Sequence, residues 1–254
     1  MIIYGIFHQG SGLGNQLHRY VVTRVLAKDK GYDFGMFYNP DGSGKVEGFK
    51  GSFFLEQPPI MGYLTDNLEL KTWHEKKLVE NGMDVRGYDP EINFIEGDTI
   101  IDGEFQDERY FGHRLKEIDE WLKVEPMQLD ENLCTIGFRG GEYALYPDLF
   151  LTKEYWAEAK VLMLQKNINM RFEVHTDDEV LAKQFFPDYK IIHEIGINWR
   201  SMRYAKYAII ANSSFYILPR LLNGGMTIAP RFWGRRNTKV WNLPQNYYKN
   251  FTYI

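Results

Sequence analysis

The sequence predicts an α/β protein built from two Rossmann-like domains with mostly parallel sheets. Short apolar runs rich in β-branched residues alternate with segments of helical periodicity along most of the 254-residue chain. Hydrophobic residues make up 44% of the chain, a fraction typical of globular proteins and well away from disorder. The length accommodates two domains of about 125 residues each.

The first half opens with a predicted strand at 2–7 and a predicted helix at 16–30, in which apolar residues recur every four positions. Gly31 is expected to cap that helix, because glycine adopts left-handed geometry without strain. The glycine-rich stretch 38–52 is predicted to be a loop. Residues 53–97 show no clear period and are expected to form short helices and loops.

Regular patterns return with a predicted strand at 99–101 and a predicted helix at 111–122. That helix is expected to end before Pro126, because a proline disfavours helical geometry in the residue before it. The segment 125–131 is the best linker candidate. The predicted domains are therefore 1–127 and 128–254.

The second half alternates more cleanly between strands and helices. Strands are predicted at 133–138, 171–174, 190–192, 208–211 and, as the last strand, 227–229. Helices are predicted at 153–166 after Thr152, from Asp177 or Asp178 through 186, from Asn198 through 206, and at 215–222. Such β-α units form a Rossmann-like domain.

Charge and composition disfavour several classes of protein. The net charge of −4 and the pI of about 5.9 disfavour a nucleic-acid-binding protein, which usually presents a basic surface. The single cysteine, Cys134, cannot form an intramolecular disulfide. No apolar run is long enough for a transmembrane segment, and the amino terminus does not have the pattern of a signal peptide. The expected location is cytoplasmic.

Ligands of open α/β sheets bind beyond the carboxyl ends of the strands, and four predicted strand ends carry suitable residues. The first is the turn containing Gly12, Gly14, Asn15 and Gln16, where backbone can approach a ligand closely and a helix begins. Its glycine spacing differs from the dinucleotide fingerprint, so a nicotinamide-dependent oxidoreductase is disfavoured. A plain tight turn is the competing interpretation.

The second strand end carries Arg139, followed by two glycines and Glu142. Arginine binds phosphate or carboxylate in a bidentate manner and stays charged, whereas Glu142 is a candidate base. A surface ion pair between the two is the alternative interpretation.

The other two strand ends are rich in small polar and acidic residues. They contain Thr176, Asp177 and Asp178 at one end, and Asn212, Ser213, Ser214 and Phe215 at the other. Each set could cap the helix that follows, and each offers hydrogen-bonding groups to a ligand. The six histidines and the lone cysteine show no metal-binding spacing, and the chain has no DxD triplet, so no metal is expected.

Five segments in order resemble glycosyltransferase family 11, the α-1,2-fucosyltransferases, and more distantly the α-1,6- and protein O-fucosyltransferases. Residues 11–20, SGLGNQLHRY, are similar to the family's GGLGNQLFQY, and residues 103–111, GEFQDERYF, to its GYWQSEKYF. Residues 137–143, GFRGGEY, resemble HxRRGDY. The TDD at 176–178 matches the family's acid pair, and ANSSFYIL at 211–218 matches ANSSFSWW.

This resemblance implies a GT-B-like architecture of two facing Rossmann-like domains, with GDP-fucose bound mainly by the second and the glycan acceptor by the first. It implies inverting transfer of fucose to a sugar hydroxyl without a metal or other cofactor. By position, Arg139 would clamp the diphosphate and Asn15 would lie near the reacting centre. Ser213 and Ser214 would hold phosphate oxygens, and Asp177 or Asp178 would read the guanine edge.

The chain departs from the family pattern at informative positions. The family's histidine is Gly137 here, its second arginine is Gly140, and its aspartate is Glu142. The alternatives are therefore a transferase using another GDP-hexose and a non-catalytic protein that binds nucleotide sugars or glycans. For the catalytic base, Glu142 is the first candidate and His18 the second.

Overall fold

The structure is a computed structural model. It describes residues 1–39, 48–64, 69–80, 83–231 and 248–254. These residues form two compact units, Met1–Lys123 and Val124–Ile254. The predicted loop at 38–52 falls partly on residues 40–47, which lie outside the described residues.

The first unit contains a five-stranded, wholly parallel sheet and a short antiparallel hairpin. The sheet consists of β1 (Ile2–His8), β2 (Asp33–Asn39), β3 (Ile60–Tyr63), β4 (Lys71–His74) and β7 (Thr99–Asp102), and the hairpin of β5 (Lys77–Glu80) and β6 (Met83–Arg86). The order in the sheet is β3-β2-β1-β7-β4, so the chain changes direction across the sheet between β1 and β7. At such a switch point the loops leave in opposite directions and open a crevice.

Helix α1 (Leu13–Lys30) begins three residues earlier than predicted and ends as predicted at Gly31. Gly31 has φ +67°, and its N–H donates to the carbonyls of Ala27 and Lys28. The helix packs closely on β1, because a Cβ at Gly5 would lie 2.2 Å from Thr23 Oγ1.

The predicted helix at 111–122 is only partly formed. Helix α2 covers Leu115–Trp121, and two 3-10 turns, Glu108–Tyr110 and Gly112–Arg114, precede it. The prediction of loops and helices for 53–97 missed β3, β4 and the hairpin, and the predicted loop from 38 overlapped the end of β2.

The second unit contains a six-stranded parallel sheet. Its strands are β8 (Leu133–Phe138), β9 (Arg171–Thr176), β10 (Lys190–Ile192), β11 (Tyr207–Ile210), β12 (Met226–Ala229) and β13 (Phe251–Tyr253). The order β10-β9-β8-β11-β12-β13 is that of a Rossmann fold, with its switch point between β8 and β11. The first five strands were predicted; β13 was not, so the predicted last strand has a further neighbour.

Helices α3 (Lys153–Lys166), α4 (Glu179–Phe185), α5 (Ile195–Tyr204) and α6 (Ile217–Asn223) connect these strands. The prediction that Asn198 caps a helix is wrong. The cap of α5 is Glu194, whose carboxylate accepts the N–H groups of Gly196 and Ile197 at 2.7 and 2.9 Å. Among the helices that the structure describes, none combines the length and apolar character of a membrane span.

Arg220 of α6 is fully buried and is held by oxygen atoms alone. Its guanidinium donates to Thr227 Oγ1 at 2.9 Å and to the carbonyls of Met202, Ala205 and Met226 at 2.8, 2.7 and 3.2 Å. Burial lowers the pKa of Arg220 to about 10, so the side chain remains charged at neutral pH. The arginine thereby joins the ends of α5 and α6 to β12.

We expect Arg220→Met to lower the free energy of unfolding by about 2 kcal/mol, because buried carbonyls lose a charged donor. Arg171→Met is the matched control, since Arg171 is exposed on β9 in the same unit. That change should stay within about 0.5 kcal/mol of wild type. Urea unfolding followed by circular dichroism measures both, and equal effects would contradict the role given to Arg220.

Candidate functional site

Three of the predicted segments lie side by side at the carboxyl edge of the second sheet. Arg139 follows β8, the segment 176–178 closes β9 and continues beyond it, and the segment 212–215 follows β11. These three strands are neighbours, and β8 and β11 flank the switch point. The hydroxyl of Tyr143 joins two of the segments by donating to the Asn212 carbonyl at 3.3 Å.

Arg139 is positioned by the strand end that precedes it. Phe138 is fully buried in an aromatic cluster, with ring centroids 5.2 Å from Phe185 and 5.6 Å from Trp156. The guanidinium that follows donates to Asp177 Oδ2 and, at 3.1 Å, to Glu142 Oε1. The Arg139 side chain is 27% exposed, so solvent and ligands reach a cation that already contacts two carboxylates.

Asp177 and Asp178 hold the loop that carries Arg139. Asp177 Oδ1 accepts the N–H of Gly140 at 2.9 Å, and Asp178 Oδ2 accepts that of Gly141 at 3.3 Å. Asp178 also caps α4 as predicted, accepting the N–H of Leu181 at 3.0 Å. Both aspartates therefore combine a structural role with their place beside the guanidinium.

The loop approaches these carboxylates so closely that it requires glycine. A Cβ at Gly140 would lie 2.6 Å from Asp178 Cβ, and Gly141 has φ +43°. The arginine that the fucosyltransferase pattern has at position 140 would not fit here. The glycine at position 140, where the fucosyltransferase pattern has arginine, is therefore explained by the close approach of Asp178.

Gly137 also lies too close to a neighbouring side chain, that of Tyr216, to carry a larger residue without a rearrangement. A Cβ at this position would lie 2.8 Å from the ring of Tyr216, which is 4% exposed. The Tyr216 hydroxyl donates to the Phe138 carbonyl at 3.2 Å, and burial raises the pKa of Tyr216, which keeps it protonated. The phenol occupies the space that a histidine at position 137 would need.

The segment after β11 is partly buried. Asn212 and Ser213 are buried, whereas Ser214 and Phe215 are half-buried. Asn212 Nδ2 donates to the Leu149 carbonyl at 2.9 Å, and its buried Oδ1 has no hydrogen-bond partner among the described residues. The predicted helix at 215–222 is confirmed for most of its length by α6, and its first turn belongs to a 3-10 turn, Ser214–Tyr216.

The candidates of the glycine-rich turn lie in the first unit. Gly12 precedes α1 as its cap, and Asn15 Oδ1 accepts a hydrogen bond from Gln106 at 3.0 Å. Gln16 is buried and holds a neighbouring loop, because its Oε1 accepts the N–H of Lys50 at 3.0 Å. Gln16 therefore has a structural role in addition to the ligand contact that the sequence predicts for its turn.

His18, the second candidate base, is fully buried in α1. Its Nδ1 lies 2.8 Å from the carbonyl of Gly14, and burial lowers the pKa of His18 to about 4. A ring without exposed surface cannot receive a proton from an acceptor hydroxyl. His18 is therefore excluded as the base.

Four polar residues at the carboxyl edge of the first sheet escaped prediction: His8, Asn39, His74 and Asp102. Each closes a strand, and the signal for His8 and Asp102 was a polar residue directly after an apolar run. Asn39 and His74 had no such signal, since β2 and β4 were not predicted. Throughout the described part of the chain, no group of three or more His, Cys, Asp or Glu residues is placed to hold a metal ion.

No protein-family model and no curated protein matches the sequence. Solved structures do match it. The heptosyltransferase WaaC of E. coli with ADP is 11% identical, with a TM-score of 0.51 over 100% of this chain and 92% of that one. A family 9 glycosyl transferase from Veillonella parvula is 10% identical, with a TM-score of 0.50 over 100% of this chain and 86% of that one.

A further match is NodZ, an α-1,6-fucosyltransferase soaked with GDP-fucose. It is 12% identical, with a TM-score of 0.44 over 87% of this chain and 92% of that one. At such identities only the fold is established, and it rests on the two matches over the whole chain. The chain has an α/β fold of the GT-B glycosyltransferase type, with one parallel sheet in each unit.

Proposed function

We propose that the protein is a metal-independent, inverting glycosyltransferase that transfers L-fucose from GDP-fucose to a sugar hydroxyl. The observation that carries this proposal is the position of Arg139, an accessible cation at the switch point of a Rossmann sheet in a GT-B-type fold. The five fucosyltransferase-like segments favour a GDP-sugar as the donor.

In this proposal Arg139 binds the diphosphate of the donor and stabilises the charge that develops on the leaving group. Arginine suits this role because its planar fork forms bidentate contacts with phosphate oxygens. The cation already contacts Asp177 and Glu142, so a diphosphate competes with these carboxylates for Arg139. Donor binding and the rearrangement of this ion pair are therefore linked.

The remaining proposed donor contacts come from the two flanking segments and the glycine-rich turn. They are Thr176, Asp177, Asp178, Asn212, Ser213, Ser214 and Phe215 in the second unit, and Gly12, Gly14, Asn15 and Gln16 in the first. Ser214 is the most accessible of the polar residues after β11, and Asn212 Oδ1 is a buried acceptor available to an N–H donor. If either aspartate contacts guanine, that contact is made in addition to the hydrogen bond that the aspartate accepts from the loop carrying Arg139.

Glu142 fits the role of base less well than its position in the sequence suggested. In an inverting reaction the acceptor attacks from the face opposite the leaving group. Glu142 Oε1 lies 3.1 Å from the guanidinium proposed to bind the leaving group, which argues against a position on the opposite face of the sugar. Its better-supported role is to compete with phosphate for Arg139.

The donor is tested by thermal unfolding with GDP-fucose, GDP-mannose, UDP-glucose or ADP added at equal concentration. GDP-fucose is expected to raise the melting temperature, because a ligand at 100 times its Kd stabilises a protein by about 2.7 kcal/mol. A larger shift with GDP-mannose would assign a different GDP-hexose. The absence of any shift with guanine nucleotides would contradict the proposed donor site.

A second candidate function is a non-catalytic protein that binds nucleotide sugars. It is favoured by the carboxylates already paired with Arg139 and by the missing second arginine at Gly140. Such a protein would show the thermal shift with GDP-fucose but release no GDP in the presence of any sugar acceptor. Measured GDP release above the rate of buffer alone would exclude it.

A further inference from the structure

Four polar side chains form a continuous row at the carboxyl edge of the first sheet. Each is the last residue of its strand, and the strands are neighbours in the order Asn39, His8, Asp102 and His74. Asn39 Nδ2 lies 3.2 Å from His8 Nδ1, and His8 Nε2 lies 2.7 Å from Asp102 Oδ1. His74 Nδ1 lies 3.3 Å from Asp102 Oδ2.

The row crosses the switch point of this sheet. His8 closes β1 and Asp102 closes β7, the two strands between which the chain changes direction. Ligands of open α/β sheets bind in the crevice at this point. The row therefore lies at the position in the first unit that corresponds to the position of Arg139 in the second.

The hydrogen bonds define the proton position on the ring of His8. A carboxylate only accepts hydrogen bonds, so His8 Nε2, which lies 2.7 Å from Asp102 Oδ1, carries hydrogen. His8 then uses both nitrogens, since its Nδ1 accepts from Asn39. His74 contacts the other oxygen of Asp102 at 3.3 Å as an ion pair, without a hydrogen bond, and its side chain is 69% exposed.

Asp102 is ionised and firmly placed. Burial raises the pKa of Asp102, but the hydrogen bond from His8 and nearby positive charge, that of Arg19 included, outweigh it, so the pKa is lowered. Arg19 is itself buried, and it donates to the carbonyl of Gly103 at 2.8 Å. The carboxylate thus faces imidazole on both oxygens and has a fixed cation near it.

The backbone that follows Asp102 is held in a strained conformation. Phe105 has φ +54°, a value rare for residues with a side chain. The buried carboxylate of Glu75 accepts the N–H groups of Glu104 and Phe105 at 2.8 and 3.3 Å and so maintains this turn. Strain that the surrounding structure maintains is concentrated at functional sites.

We propose that this row activates the acceptor, with His74 as the catalytic base and with Asp102 and His8 as positioning residues. The inference rests on the proposed glycosyltransferase function and adds the residues that take the proton from the acceptor hydroxyl. As the acceptor hydroxyl attacks, its O–H bond breaks and the proton passes to His74 Nε2. The new C1–O bond forms while the C1–O bond to the diphosphate breaks, and the electron pair leaves with GDP.

The test compares His74→Gln, Asp102→Asn and the control His113→Gln. His113 also contacts a carboxylate, Asp29 at 2.9 Å, but it lies in a 3-10 turn away from the strand ends. GDP release from GDP-fucose with a panel of mono- and disaccharides measures transfer, and thermal unfolding with GDP-fucose measures donor binding. Nitrogen-15 NMR of labelled histidines identifies the tautomer of His74.

His74→Gln and Asp102→Asn are expected to reduce transfer about 100-fold while the thermal shift with GDP-fucose remains. The NMR spectrum should show a different proton distribution on the His74 ring in Asp102→Asn than in the wild type, because the carboxylate 3.3 Å from Nδ1 is neutralised. Wild-type transfer retained in His74→Gln, or a proton distribution on His74 that Asp102→Asn leaves unchanged, would overturn the roles assigned to these two residues but not the donor site. A wild type that neither binds GDP-fucose nor releases GDP would overturn the proposed function and this inference with it.

Discussion

Arg139→Ala is expected to reduce transfer from GDP-fucose by about 100- to 1000-fold, the usual effect of removing one electrostatic contact to a developing charge. The variant should also lose the thermal shift with GDP-fucose, because the cation contacts the diphosphate before as well as during the reaction. Unfolding without ligand should change little, since a partly exposed ion pair contributes about 1 kcal/mol or less. GDP release and thermal unfolding with and without donor measure the three effects.

Two controls separate the loss of the bidentate contact between Arg139 and the diphosphate from a general loss of positive charge. Arg139→Lys keeps the charge but loses the bidentate fork, so it should recover part of the donor shift and little of the rate. Arg171→Ala removes an exposed arginine from β9 of the same sheet and should leave transfer unchanged. Wild-type turnover in Arg139→Ala would show that the diphosphate is bound elsewhere.

The fold of the second unit was predictable because its strands are short apolar runs bounded by polar residues. The predicted bounds of 133–138 and 190–192 are those of β8 and β10. In the first unit, β2 carries a glycine and three aromatic residues and does not alternate. A Cβ at Gly35 would lie 2.5 Å from Met61 Cγ, so the glycine of β2 is required by packing against β3, which the local sequence does not reveal.

The candidate site was predictable as a set of segments but not as a set of contacts. Strand ends of a parallel sheet share one edge, so Arg139 and Asp177 were expected at the same edge of the sheet. Their ion pair and the ring of Tyr216 over Gly137 depend on side-chain directions that spacing alone does not determine. The row in the first unit was missed for a different reason, since two of its four strands had no recognisable pattern.

Gly137→His, which introduces the histidine of the fucosyltransferase pattern, is expected to lower the free energy of unfolding by at least about 3 kcal/mol. Gly137 lies inside β8, and the new Cβ would meet the Tyr216 ring at 2.8 Å. The ring cannot move away easily, because it is buried and its hydroxyl donates to Phe138. Gly48→His is the control, since a Cβ at that exposed glycine meets nothing within 4 Å.

A double-mutant cycle shows whether Gly137 and Tyr216 are energetically coupled. Tyr216→Ser alone removes a buried ring and is expected to cost about 3 kcal/mol, as large-to-small core changes do. If the phenol occupies the space that a histidine at position 137 needs, the double variant should be about 2 kcal/mol more stable than the sum of the single effects predicts. Additive losses in urea unfolding would mean that the two positions are independent. In that case the ring of Tyr216 would not be what excludes a larger side chain from position 137.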